Sequence, residues 1–205
     1  MVRFLANLLS VVINPLMAPT FLFILLLFYF PGLETLTSQE EKLHAIGLIF
    51  LSTFLFSFLL IFMLYKMKLI ARVTLENQKD RTIPQIFLLL VYVAITIYLV
   101  RRLGMKDGLT LSMLASTITI AGITLINRYW KISTHASGVS GVFAIITVLY
   151  WRYPPEGFGA IYLAISLLTL GVCASRLYLK VHTPMQVVIG FLLGAVSGTL
   201  LFFWR

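Results

Sequence analysis

The chain has 205 residues, of which 60% are hydrophobic, 14% aromatic and only 11% charged. A soluble domain runs at about 45–50% apolar and about 25% charged, so this chain has too little polar surface to cover a water-soluble particle. Disorder, coiled coil and disulfide scaffold are excluded by the same numbers, as is a soluble nucleic-acid binder despite the net charge of +9; what remains is an integral membrane protein.

A membrane-crossing helix takes about 20 apolar residues. The sequence therefore predicts an all-α polytopic transmembrane bundle of six or seven spans, in one domain over residues 1–205. The first run, residues 4–30, is interrupted by Asn14, Pro15 and Pro19 and reads as a kinked or broken helix. It is longer than a signal-peptide core and no small-residue cleavage site closes it, so a retained segment is expected. Residues 43–65 form the second run, and residues 83–100 the third, with Pro84 near a first-turn position where its missing N–H does no harm. Residues 108–126 are rich in Ser and Thr, and the short run 136–150 borrows length from Ser133 onward. Residues 158–175 and 184–204 complete the set. Gly190, Gly194 and Gly198 fall four apart in the last run, and Ser112 and Ser116 do so in the fourth. Small residues at that spacing are packing faces, because they let helix backbones approach closely. Cys173, in apolar surroundings, reads as an inert core thiol.

Seven spans sort the loops into two sets. One side collects Arg3, Lys66, Lys68, Arg72, Lys79, Arg81, Arg128, Lys131, Arg176 and Lys180 against Glu76 and Asp80. The other mixes Lys42, Arg101, Arg102, Lys106, Arg152 and Arg205 with Glu34, Glu40, Glu41, Asp107 and Glu156. By the positive-inside rule the basic side faces the cytoplasm. His135 and His182 also fall on that side, each at a helix start and close to Lys79, Arg81, Lys131 and Arg176 in the loop map. Helix N-termini and guanidinium groups both bind anions, and histidine serves a phosphate site as nucleophile or proton donor.

The order of residues around those histidines sharpens the expectation. Ser175-Arg176, five residues, His182, three residues and Gln186 resembles the third signature of the type 2 phosphatidic acid phosphatase superfamily, the lipid phosphate phosphatases related to vanadium haloperoxidases. That signature is Ser-Arg, five residues, His, three residues, Asp. Ser133-Thr134-His135 resembles the second, Pro-Ser-Gly-His, with Ile132 for Pro and Thr134 for Gly. The first, Lys-x6-Arg-Pro, has two candidates: Arg72-x6-Lys79, with the basic residues exchanged and Asp80 in place of Pro, or Arg81 ahead of Pro84. The resemblance covers residues 72–204.

The resemblance implies a lipid phosphatase working through a phosphohistidine. His182 is the implied nucleophile, and His135 the acid that protonates the leaving group and then activates water. Arg176, Lys79 and either Arg72 or Arg81 are implied to hold the phosphoryl oxygens, with Ser133 and the Thr134 N–H adding hydrogen bonds. No metal and no cofactor are expected. Gln186 stands where the family carries Asp; its amide oxygen orients the His182 ring without a negative charge, which implies a less activated nucleophile. The string His-Thr-Pro-x-Gln-Val-x-x-Gly resembles the branch that acts on dolichyl and other polyprenyl diphosphates, which favours that substrate over phosphatidate. The expected partners are the bilayer and a lipid phosphate within it, and the expected location is a bacterial inner membrane. Most relatives in the superfamily resemble enzymes of the exoplasmic face, so the compartment of the site stays open. The alternative is a catalytically degenerate lipid binder or transporter on the same scaffold.

Overall fold

The first apolar run breaks where its prolines stand. In the computed structural model, which describes residues 2–33, 35–36, 38–75 and 77–203, α1 (Val2–Val12) ends before Asn14, a single 3-10 turn covers Pro15–Met17, and α2 (Ala18–Tyr29) resumes the helix. The Asn14 side chain accepts the Leu16 N–H at 3.0 Å, supplying the cap that restarts the chain after the break. Although short, α2 is a core element: Phe23, Leu26 and Leu27 are each 1% exposed or less.

The remaining helices follow the runs read from the sequence. They are α3 (Gln39–Ile49), α4 (Phe56–Lys66), α5 (Thr82–Leu103), α6 (Gly108–Tyr129), α7 (Thr134–Arg152), α8 (Gly159–Tyr178) and α9 (Pro184–Phe203). A π-helical stretch, Phe50–Leu55, fuses α3 and α4 into one rod. Among the described residues six stretches are long and apolar enough to cross a membrane: Gln39–Lys66, Lys79–Leu103 and the helices α6 to α9. Pro15–Tyr29 is a shorter apolar helix, so the broken first run accounts for the choice between six and seven spans. Trp204, at the end of the last expected run, lies outside the described residues, as do Arg205, Glu34 and Glu76 of the charge count.

Caps set the helix starts at both ends of the bundle. Ser38 and Glu41 form a capping box on α3. The Asp107 carboxylate, 4% exposed, accepts the Leu109 N–H at 2.9 Å and the Thr110 N–H at 3.4 Å, and its other oxygen accepts the Thr35 N–H at 2.8 Å. The loop after α2 is thereby tied to the start of α6. Arg152 closes α7 at the same end by donating to the Phe202 and Phe203 carbonyls at the last turn of α9.

The tightest helix pair is α7 with α9, and the glycine stripe explains it. A Cβ added at Gly190 would lie 2.6 Å from the Ser133 carbonyl oxygen, and one at Gly198 would lie 2.9 Å from that of Gly141. At Gly194 a Cβ would collide with the Ser137 carbonyl outright. The two helices run parallel in direct backbone contact, which fixes their register and therefore the relative height of the segments that precede them.

Candidate active site

Those two preceding segments carry the two motif histidines. Ser133 is fully buried; its hydroxyl accepts the Ala136 N–H at 3.3 Å and caps α7, while its own N–H donates to the Gln186 carbonyl at 3.2 Å. His135 therefore sits in the first turn of α7, hydrogen-bonded in register to the first turn of α9. The Lys131 ammonium donates to the Val181 carbonyl at 3.0 Å and joins the two loops a second time.

Gln186 has two structural duties at once. Thr183 Oγ1 accepts the Gln186 N–H at 3.4 Å, and Gln186 Oε1 accepts the Thr183 N–H at 3.2 Å. This is a Thr-x-x-Gln capping box with Pro184 at the first helical position, so α9 starts immediately after His182. The same Oε1 lies 3.1 Å from His182 Nδ1. The backbone N–H of Thr183 is a donor only, so the atom it meets is the amide oxygen, and the ring nitrogen on the same oxygen carries the proton. The Nε2 lone pair of His182 is left for other chemistry. The capping-box spacing was present in the sequence, and it is the signal that would have assigned Gln186 this second role.

The charges around His182 come from three different elements. His182 is 7% exposed. Burial above all, and then the positive charges of Arg81, Lys131 and Arg176, push its pKa down to about 3, against an upward pull from the Gln186 hydrogen bond. His182 is thus a neutral imidazole at physiological pH. Lys131, which the sequence offered only as a flanking charge, acts on the ring as directly as the two arginines do.

Of the basic residues in the loop between α4 and α5, the structure brings Arg81 to the site. Arg81 is 6% exposed; its Nε donates to the Leu75 carbonyl at 2.7 Å and its Nη1 to the Ile132 carbonyl at 3.1 Å. The loop is shaped by Asp80, whose carboxylate accepts the Ala71 N–H at 3.0 Å. It is fastened to the end of α6 by Gln78, which donates to the Asn127 carbonyl at 2.6 Å. Within the single 3-10 turn Lys79–Arg81, Lys79 faces outward and Arg81 inward. Arg72 and Lys79 are exposed, and neither lines the cavity described next.

That cavity measures about 560 Å³ and is walled by α1, α2, α4 to α9 and the loops at the basic end. Arg81, Thr134, His135 and Arg176 line its polar head, with Thr74 and Val181 from the neighbouring loops. Below them the lining is mainly apolar and includes Leu22, Ile61, Leu88, Tyr92, Ile120 and Ile145. Ser133, whose hydroxyl is engaged in the cap, is absent from the lining, and so are Lys131, His182 and Gln186, which stand behind it. Among the described residues no three His, Cys, Asp or Glu side chains cluster in a metal-holding arrangement.

Comparison with known proteins bears on this site directly. The family model described as the PAP2 superfamily matches residues 115–205. Over that stretch the chain is similar to the PAP2 superfamily. The PAP2 segment contains His135, Arg176, His182 and Gln186, whereas Arg81 and the cavity walls from α1, α2, α4 and α5 lie outside it. A dolichyldiphosphatase of Saccharomyces cerevisiae is 50% identical over 40 residues, a match spanning 20% of this chain and 17% of that relative. No solved structure matches the chain.

Proposed function

We propose that this protein hydrolyses a phosphate monoester or diphosphate of a membrane lipid, of the polyprenyl diphosphate or phosphatidate type, through a phosphohistidine intermediate. One observation carries the reading: a neutral histidine with its Nδ1 proton committed to Gln186 stands among Arg81, Lys131 and Arg176 beside a cavity that is polar at its head and apolar below. The match of residues 115–205 to the PAP2 superfamily and the short match to a dolichyldiphosphatase support it.

The chemistry follows from the protonation states. His182 Nε2 attacks phosphorus, and the bond from phosphorus to the lipid oxygen, or to the bridging oxygen of a diphosphate, breaks as the N–P bond forms. His135, in the wall of the cavity head, donates a proton to the departing oxygen. Water then attacks the phosphohistidine, His135 takes a proton from it, and inorganic phosphate leaves with His182 restored. Arg81 and Arg176, with Lys131 behind them, neutralise the equatorial oxygens, whose charge must be held through the transition state. The three cations that add to burial in lowering the His182 pKa are offset by the arriving anion, so substrate binding itself raises the basicity of the nucleophile. No step requires a metal.

Purified protein is expected to release phosphate from a polyprenyl diphosphate or from phosphatidate in the presence of EDTA and to be inhibited by vanadate. His182→Ala abolishes the release. Full activity in that variant refutes the mechanism, and lipid binding without any turnover across these substrates replaces it with the lipid-binding alternative.

A further inference from the structure

Gln85 stands one helical turn beyond Arg81, which caps the start of α5. Residues four apart share a helix face, about 6 Å from each other along the axis. Arg81, Gln85 and Leu88 accordingly all line the cavity. Side chains on a helix lean toward its N-terminus, which for α5 is the end that carries Arg81. The Gln85 amide is thereby set between the guanidinium and Leu88, where the polar head of the cavity gives way to its apolar lining.

Gln85 is 6% exposed, and among the described residues no hydrogen bond reaches its amide. An amide brings two donors and two acceptor sites, and burying it without a partner costs stability. Other polar side chains around the cavity spend their donors inside the protein. Thr119 donates to the Ala115 carbonyl and Ser116 to the Ser112 carbonyl, both at 2.9 Å. Ser57 also lines the cavity without a partner, but its hydroxyl has no accessible surface. The Gln85 amide is not among the sealed atoms, and the surface that Gln85 lines is the cavity. A side chain that the fold loads with a buried amide, and for which it has no use of its own, finds its partner in what enters. Residue 85 also lies outside the stretch matched by the family model.

We propose that Gln85 is a substrate-binding residue, whose amide N–H donates to an oxygen at the junction where the lipid leaves its phosphate. The phosphoryl oxygens meet Arg81 and Arg176 at the head, and the hydrocarbon lies below against Leu88. Gln85 reads the atom between them. The inference rests on the phosphatase reading only for its kinetic readout.

The full chain in detergent is assayed for phosphate release from two monoesters. Geranylgeranyl phosphate offers only its bridging ester oxygen at that junction, whereas dioleoyl phosphatidate adds the carbonyls of its glycerol esters. Gln85→Met keeps the length and removes the amide. It is expected to lower kcat/KM about fivefold, the scale of one neutral hydrogen bond, while the melting temperature holds or rises because an unpaired buried amide is gone. A loss in kcat on both substrates assigns the bond to the bridging oxygen, where charge builds as the ester breaks. A loss in KM on phosphatidate alone assigns it to a glycerol ester carbonyl; either upholds the contact. Gln85→Glu keeps the shape, sets an anionic acceptor against the substrate oxygen and loses at least tenfold. Parent-like kcat/KM on both substrates in either variant overturns the proposal. A melting temperature that falls with activity in Gln85→Met overturns it too, since Gln85 then holds the fold. Thermal stabilisation by the same two lipids reads binding alone. A parent that they stabilise but that releases no phosphate overturns the phosphatase reading; this inference then stands if the stabilisation shrinks in Gln85→Met and falls if it does not.

Discussion

Replacing Gln186 by glutamate isolates the electrostatics of the His182 contact. The side chain keeps its length, its oxygens still accept from Thr183 N–H and His182 Nδ1–H, and a full negative charge is added. With the charge centres about 4 Å apart and an effective dielectric of about 20, the attraction to an imidazolium is about 4 kcal/mol. At 1.36 kcal/mol per unit this lifts the histidine by about three units, from about 3 into the region of ordinary histidines. The sequence has 3 histidines, so nitrogen-15 imidazole spectra of histidine-labelled protein resolve each titration. His182 in the parent protein is expected to stay neutral well below pH 5, while in Gln186→Glu it titrates near pH 6 despite Arg81, Lys131 and Arg176. Stability moves with it. A pKa depressed in the folded state costs stability as pH falls from the ordinary histidine value toward the folded one, so the variant loses less than the parent across that acid window. A parent His182 that titrates near its ordinary value, or a Gln186→Glu variant that titrates where the parent does, refutes this account.

Three further outcomes test the assembly of the site and of the bundle. Arg81→Lys cannot reproduce the bonds to the Leu75 and Ile132 carbonyls, and at about 1.5–3 kcal/mol for a bond from a charged donor kcat/KM for phosphate release falls at least tenfold. Arg72→Ala and Lys79→Ala, at exposed positions, change it by about twofold or less, and the reverse ranking would refute the choice of Arg81. Gly194→Ala forces a methyl into the Ser137 carbonyl and destabilises the protein by about 3 kcal/mol, read as faster thermal inactivation in detergent. The control Gly171→Ala meets only Leu9 Cδ1 at 3.8 Å and is tolerated. Asp107→Ala strips three backbone N–H groups of their acceptor and costs about 2 kcal/mol. Because Asp107 stands at the opposite end of the bundle from His182, KM should be unchanged while the melting temperature drops.

The local features of this chain were legible because they depend on neighbours in sequence. Apolar run length marked the membrane helices, Asn14-Pro15 marked the break, and Gly190, Gly194 and Gly198 marked the close helix contact. Ser175-Arg176, His135 and His182 marked the candidate phosphate site by residue type and spacing. The Thr183–Gln186 capping box was equally local, and it adds the start of α9 to the ring-orienting role that the sequence already gave Gln186.

Tertiary structure decided what spacing left open. Between Arg72, Lys79 and Arg81 the sequence had no means to choose. The choice falls to Arg81 because its guanidinium reaches the Ile132 carbonyl 51 residues away, a contact made only when the turn ahead of α5 meets the loop between α6 and α7. Lys131 joins the site through the Val181 carbonyl 50 residues on, and the cavity is enclosed only where residues of α2, α4, α5, α6 and α7 come together. Composition and periodicity are properties of the chain alone, and they determined that it is a membrane protein, while motif spacing supplied only the candidates for the site. Which of those residues meet, and how much room stands beneath them, depends on distances between elements far apart in sequence, and only packing sets those.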